Sequence, residues 1–307
     1  MSKFQEKTTG LLTNVDLKGA KGKILYWAIF VILILCCFLT FLPAIWTVFT
    51  ALKDTNEIYS STSFFPQNLS LNVFIERISD SWDQLKFGRS ILNTVYFSVI
   101  SWAFKLGVCT FAGYTFSKLK PKGSTMVFAL ILWTMMMPAQ MRTVPNYISF
   151  LSFPFASKTE FGIGLNLLNT YWPMWLSGAV DAFAIMLFKN AFDSVSNSVI
   201  EAATIDGAGK LRILFSIMLP LCVPIIIYES IGTLSGAWSN FFGPYLIIQD
   251  SSKQLLPAKI FLMSNDGTVK QNTYLMGLII AAMPPFIIFA FFNKYIMGGI
   301  NVGGVKG

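Results

Sequence analysis

Three ionisable side chains stand inside long apolar runs: Lys105, Asp181 and Glu229. A charge at the centre of a bilayer costs about 2.5 to 3.5 kcal/mol on insertion scales, so such residues pair or line a polar path. At a rise of about 1.5 Å per helical residue, Asp181 and Glu229 come out at similar depth, with Lys105 above them. At least one of the two acids is therefore expected to face Lys105 or an aqueous pathway. Two chemistries are open to the group: a structural ion pair or partner contact, and a polar lining that touches solute hydroxyls. Most catalytic chemistries are excluded. With no histidine in the chain, a His-ligated metal site, a Ser-His-Asp triad and a Cys-His dyad are impossible. The four cysteines, Cys36, Cys37, Cys109 and Cys222, lie in or beside apolar stretches without metal-ligand spacing, and read as small hydrophobes. No G-x-x-x-x-G-K-[ST] phosphate cradle and no D-x-D acidic pair occurs.

The elements that must position these charges follow from composition. Of 307 residues, 54% are hydrophobic and 12% charged, against about 25% charged in a soluble domain. That supply cannot make a water-facing surface, so the chain reads as a polytopic, all-α membrane protein. The net charge of +8 is a matter of membrane topology, and no nucleic acid is implied. The run Ile24–Leu52 carries no charge; it is too long for a signal-peptide core and long enough to span. Six transmembrane helices are expected, at about 25–49, 89–116, 124–148, 167–188, 222–248 and 273–296. Each uninterrupted run should be helical, because the backbone must satisfy itself in lipid. The lysine clusters before span 1 and at 117–123 favour both termini inside, N-in/C-in. The division expected is a cytoplasmic segment 1–23, a transmembrane domain 24–300 and a cytoplasmic tail 301–307.

The long polar segment between spans 4 and 5 has its own pattern. Ser196 and Ser198 are N-cap candidates before Val199-Ile200-Glu201-Ala202-Ala203. Asp206-Gly207 is a turn dipeptide in which glycine is free to take positive φ. Apolar residues at helical spacing run from Leu211 to Leu219, and Leu219-Pro220 marks the return to the membrane. The order is helix, glycine turn, helix.

Glu201-Ala202-Ala203-Thr204-Ile205-Asp206-Gly207-Ala208-Gly209, followed by Phe215, Ile217, Leu219-Pro220 and Pro224, resembles the EAA loop of ABC importer permeases. Within that class the chain resembles the MalG-type permease of maltose-like carbohydrate importers. The residues that carry this are Asn93-Thr94, Ala112-Gly113-Tyr114, Pro138 and Pro145 flanking Gln140, and Leu167-Leu168-Asn169-Thr170-Tyr171-Trp172. Trp238-Ser239-Asn240-Phe241-Phe242-Gly243-Pro244 has its Asn one position displaced, and Gly303-Gly304-Val305-Lys306-Gly307 ends the chain. The resemblance spans about 90–307.

It implies a type I importer subunit at the cytoplasmic membrane of a prokaryote. The implied partners are a second, MalF-type permease, two MalK-type ATP-binding subunits, an extracytoplasmic sugar-binding protein and membrane lipid. ATP and Mg would be bound by the partner subunits, with no cofactor and no enzyme activity in this chain. Glu201, Ala202, Ala203, Asp206, Gly207 and Ala208, within an EAA coupling segment 190–221, would form the coupling helix that meets the ATPase. Asn265, Asp266 and Gly267 would tip an outer loop that enters the binding protein's cleft, and Asn301 to Gly307 would reach the ATPase interface. An importer of another solute, such as glycerol phosphate or a polyol, is the neighbouring alternative. A stand-alone secondary carrier is a remoter one, since no inverted repeat is visible.

Overall fold

A computed structural model describes residues 20–154 and 164–297. The N-terminal Lys3 to Lys18 cluster and the Asn301–Gly307 tail lie outside the described residues. The elements are all helical: α1 (Ala20–Leu52), α2 (Thr55–Ser60), α3 (Leu71–Leu85), α4 (Phe87–Tyr114), α5 (Ser124–Trp133), α6 (Thr143–Leu151), α7 (Trp172–Ala179) and α8 (Ala182–Asp193) come first. Then follow α9 (Asn197–Ile205), α10 (Lys210–Ile213), α11 (Leu219–Leu221), α12 (Val223–Ser239), α13 (Phe242–Ile247), α14 (Leu256–Ser264) and α15 (Gln271–Met297). Two π-helical turns, Thr115–Leu119 and Leu214–Met218, extend α4 and α10.

Among the described residues three helices are long and apolar enough to cross a membrane: Lys21–Leu52, Phe87–Leu119 and Gln271–Phe292. Two bent pairs raise the number to five if each pair is one span. The expectation that every apolar run is one unbroken helix is therefore corrected for spans 3, 4 and 5. Span 3 bends by 102° between Ser124–Met136 and Gln140–Leu151. Met137 is extended (φ −84°, ψ 122°) because the ring of Pro138 excludes helical backbone from the residue before it. Span 4 is two short helices. Val180 and Asp181 are extended between them, and Asp181 caps the second. Span 5 is interrupted at Asn240, which is extended between Val223–Ser239 and Phe242–Ile247, and an 80° bend at Cys222, between Pro220 and Pro224, separates the run from Lys210–Leu221 before it. Proline alone does not dictate the breaks: Pro43 lies inside α1, and Pro284 and Pro285 inside α15, without ending either helix.

The two larger core clusters lie at opposite ends, and a smaller third one of Ala51, Leu52, Leu275 and Met276 joins α1 to α15. At one end, Cys109, Tyr114, Ile185, Phe188, Phe192, Leu214 and Met218 pack together, joining α4, α8 and the 210–222 leg. At the other, Phe87, Phe97, Trp175, Trp238, Leu255 and Ile260 join α4, α7, α12 and α14. Gly113 explains its place in the first cluster: a Cβ there would lie 2.6 Å from Cβ of Phe188 and 3.0 Å from the nitrogen of Lys189. Only glycine lets α4 and α8 approach so closely. Segment 50–88 is a folded cap. Ser70 caps α3 by accepting from the Val73 amide, Arg77 pairs with Asp54, and the Ser81 hydroxyl donates to the Thr273 carbonyl at 3.1 Å. By contrast, Ile24, Trp27, Leu33, Leu35 and Phe41 of α1 all stand exposed. A helix that is apolar all round needs lipid or another subunit as its solvent.

Candidate functional site

The breaks in the spans surround a cleft of about 760 Å³ between α4, α6, α7, α12 and α13. Its lining includes Ser101, Asn146, Tyr147, Ser177, Thr233 and Asn240. Lys105 and Asp181 also line it. The structure brings all three intramembrane charges together: Nζ of Lys105 lies 2.8 Å from Oδ2 of Asp181 and 3.0 Å from Oε2 of Glu229. One cation thus ties α4 to the break before α8 and to α12. The acids are not equivalent. The Glu229 side chain is 5% exposed and that of Asp181 37%. Asp181 also accepts from the amides of Phe183 at 2.9 Å and Ala184 at 3.1 Å, so its charge is shared between Lys105 and the positive end of α8.

Asp181 is the residue that sequence reasoning placed within a helix and the structure places at a helix start. The signal was available: Asp is a strong N-cap, and Val180 before it favours extended backbone. The hydrophobic run outweighed it.

At the end of the molecule away from α14 stands the hairpin of residues 196–213. Ser196 caps α9, its hydroxyl accepting from the Ser198 amide. α9 then stops in two bonds, from the Gly207 amide to the Thr204 carbonyl at 3.0 Å and from the Ala208 amide to the Ala203 carbonyl at 2.9 Å. This double closure needs a left-handed residue at its corner, and Gly207 has φ +80°. Ala203 and Ala208, the pair the closure brings together, pack on the core below. Glu201, Ala202, Thr204 and Asp206 face out, with Ile205 86% exposed and Leu211 62%. Among the described residues no side-chain partner of Glu201 or Asp206 is found. The six residues expected to couple thus separate into a frame (Ala203, Gly207, Ala208) and an outward face (Glu201, Ala202, Asp206).

The end of α8 and the legs of the hairpin are fixed to the α4 side by contacts that sequence reasoning missed. Oγ of Ser117 donates to Oδ1 of Asp193 at 2.7 Å, and Lys189 pairs with Oδ2 at 2.6 Å. Nζ of Lys118 donates to the Val195 carbonyl at 2.8 Å and to Oδ1 of Asn197 at 3.0 Å. The Tyr114 hydroxyl donates to the Lys210 carbonyl at 3.2 Å. Burial pushes the Asp193 carboxyl up, but the hydrogen bonds from Lys189 and Ser117 outweigh it and hold the group below its ordinary value.

At the other end the segment 250–272 carries α14 (Leu256–Ser264) between loops, and Leu255, Leu256 and Ala258 are fully buried. The loop narrows to an exposed turn of Asn265, Asp266 and Gly267, in which Oδ1 of Asp266 accepts from the amide and hydroxyl of Thr268 at 3.0 and 2.7 Å. These bonds, the Thr268 hydroxyl's foremost, hold the Asp266 carboxyl below its usual range. Asn93, Thr94 and Asn169 pin this segment. Nδ2 of Asn93 donates to the Ser252 carbonyl at 3.0 Å, Oγ1 of Thr94 accepts from the Leu256 amide at 2.9 Å, and Oδ1 of Asn169 accepts from the Gln249 amide at 2.7 Å.

A helical membrane subunit with broken spans around a polar cleft, and with a rigid hairpin presented at one end, is built for transport. The chain belongs to the family of binding-protein-dependent transport system inner membrane components, whose model matches residues 109–301. It is similar to the arabinooligosaccharides transport system permease AraQ of Halalkalibacterium halodurans, 25% identical over 297 residues, 95% of this chain and all of that one. The melibiose/raffinose/stachyose import permease MelC of Bacillus subtilis is 26% identical over 268 residues, 87% of this chain and 92% of that one. The fold matches a subunit in the crystal structure of a bacterial ABC transporter involved in import of the acidic polysaccharide alginate, with TM-score 0.74 and 21% identity, over 90% of this chain and 98% of that one. The fold is thus that of an ABC importer permease, and the chain is an inner membrane transport component.

Proposed function

We propose that this chain is the MalG-type permease subunit of an ATP-driven carbohydrate importer, with both termini in the cytoplasm. Its hairpin docks in two partner-side features at once: an apolar recess for Ile205 and Leu211, and cationic groups for Glu201 and Asp206. The partner is one of two MalK-type ATPase subunits, which bind ATP and Mg. A MalF-type permease completes the pathway, and an extracytoplasmic sugar-binding protein meets the Asn265–Gly267 turn. Family membership supports dependence on a binding protein, and the oligosaccharides named for AraQ and MelC support the solute class. The cleft's hydroxyl, amide and tyrosine groups suit a polyhydroxy solute.

The single observation that carries the coupling reading is the outward face of the hairpin. Two acids without side-chain partners among the described residues stand beside an isoleucine that is 86% exposed, on a frame closed by the Gly207 and Ala208 amides. Ile205 and Leu211, exposed beside two acids on a rigid turn, support a surface that a partner covers. The test is uptake of raffinose and arabinotriose by cells that carry the whole importer. Changing Glu201 and Asp206 together to Ala should abolish uptake while the chain still inserts. Unchanged uptake would overturn the assignment.

A further inference from the structure

α8 is gripped by α4 at both of its ends. At its start Asp181 pairs with Lys105 at 2.8 Å. At its last residue Asp193 accepts from Ser117 at 2.7 Å and from Lys189, one turn back, at 2.6 Å. Between these points Gly113 admits Phe188 to a distance no other residue would allow. A helix of 12 residues spans about 18 Å, and over that length α4 and α8 can move only together. This body also holds both legs of the hairpin. Lys118 binds the chain entering α9, at Val195 and Asn197, and Tyr114 binds the chain leaving the turn, at Lys210. The other route from hairpin to cleft runs through the 80° bend at Cys222. That joint lies between Pro220 and Pro224, each in the first turn of its helix, so the chain turns there and does not run on as one straight helix.

We propose that Lys118 and Tyr114 are positioning residues that clamp the hairpin to the α4 side of the α4–α8 pair, and that Asp193 fastens the end of α8 to the same side. Through them this pair acts as a push rod that carries hairpin displacement to the Lys105 cluster at the cleft. When the ATPase subunits move the hairpin, the rod shifts Asp181 and Lys105 relative to Glu229 on α12, and the cleft changes its exposure. A rigid-body shift of this kind needs a stiff element with a bistable contact at its end. The contact at the end of the rod is the pair of Lys105 with Glu229 at 3.0 Å, which that shift would stretch while Lys105 and Asp181 move together. The inference rests on the coupling reading above.

The test uses the complete importer in proteoliposomes, with Cys36 and Cys37 changed to Ser and Ser177→Cys as a reporter in the cleft wall. The rate at which a membrane-impermeant methanethiosulfonate labels Ser177→Cys is compared with and without ATP and vanadate. In the parent the nucleotide should change the rate at least about fivefold, the lower end of usual coupling strengths. In Lys118→Ala/Asp193→Asn the ATPase should still turn over, but the labelling rate should no longer respond, and Lys118→Arg should retain the response. A damaged structure would instead lower both together. Should the double variant fail to assemble, Tyr114→Phe decides, since it removes only the bond to Lys210 and should reduce the response. A full response in the clamp variants overturns the push rod. If Glu201→Ala/Asp206→Ala also responds fully, the coupling reading itself falls. If that pair loses the response while the clamp variants keep it, only the rod is wrong.

Discussion

Two groups of charge in this chain meet opposite fates. In the Lys105 cluster each charge is answered within the chain: two carboxylates share one ammonium, and Asp181 has two amides besides. On the hairpin, Glu201 and Asp206 have no such side-chain partners among the described residues, although the frame beneath them is hydrogen-bonded at every turn. The difference teaches where to look for function. A charge satisfied inside the fold holds spans together. A charge left open on a rigid support is offered to something else. Removing the first kind should cost stability, and removing the second should cost transport alone.

The largest expected effect is on the hairpin frame. Gly207→Pro cannot adopt φ +80°, because the ring fixes φ near −65°. Uptake by the assembled importer should be lost, while membrane fractionation still finds the chain inserted. Gly207→Ala is the sharpening control. A Cβ there meets nothing within 4 Å, so its cost is confined to the left-handed backbone, about 1–2 kcal/mol. Uptake should fall only in part.

Next comes Lys105→Met. It leaves Glu229 buried and unanswered, and breaking a buried pair costs about 3–5 kcal/mol. Thermal unfolding in detergent should show the loss, whereas Glu201→Ala should unfold like the parent. Equal unfolding of Lys105→Met and the parent would erase the distinction between the two regions. Asp181→Asn should cost less, about 1 kcal/mol, because asparagine still caps α8 and the side chain is partly exposed. Asp181→Leu should cost more than Asp181→Asn in the same melt. The reverse order would mean that the cap, rather than the ion pair, is dispensable.

The smallest effect concerns pH. Asp193 titrates below its ordinary value in the fold, so its contribution is full above the unfolded value, about 3.9, and is lost as pH falls through the lower folded value. Melting temperature between pH 8 and pH 5 should therefore be insensitive to Asp193→Asn in its slope. The parent and variant should converge only in strong acid. A divergence that opens between pH 8 and pH 6 would contradict the Ser117–Asp193–Lys189 contact.

The hairpin was legible in the sequence because its geometry is local. Ser196, Glu201-Ala202-Ala203 and Asp206-Gly207 act within a few residues, and capping and positive φ are properties of short segments. The spans were less so. Hydropathy reports what lipid tolerates and is indifferent to where a helix breaks, so Pro138 interrupts its run while Pro43 and the Pro284-Pro285 pair do not. Asp181 stood out as a charge, and its capping preference was a local hint of a helix start, but the length of the apolar run outweighed it, and its partner Lys105 is distant in sequence.

Composition and turn chemistry by themselves determined that this is a helical membrane chain bearing a capped hairpin, because both follow from transfer free energy and from backbone preferences of neighbouring residues. Tertiary structure alone decided that one lysine serves two acids, that Gly113 lets α4 seat against Phe188, and that Lys118 and Tyr114 hold the two legs of the hairpin. Those are contacts between residues 75 to 124 positions apart, and their meeting is fixed by how the broken spans pack against each other.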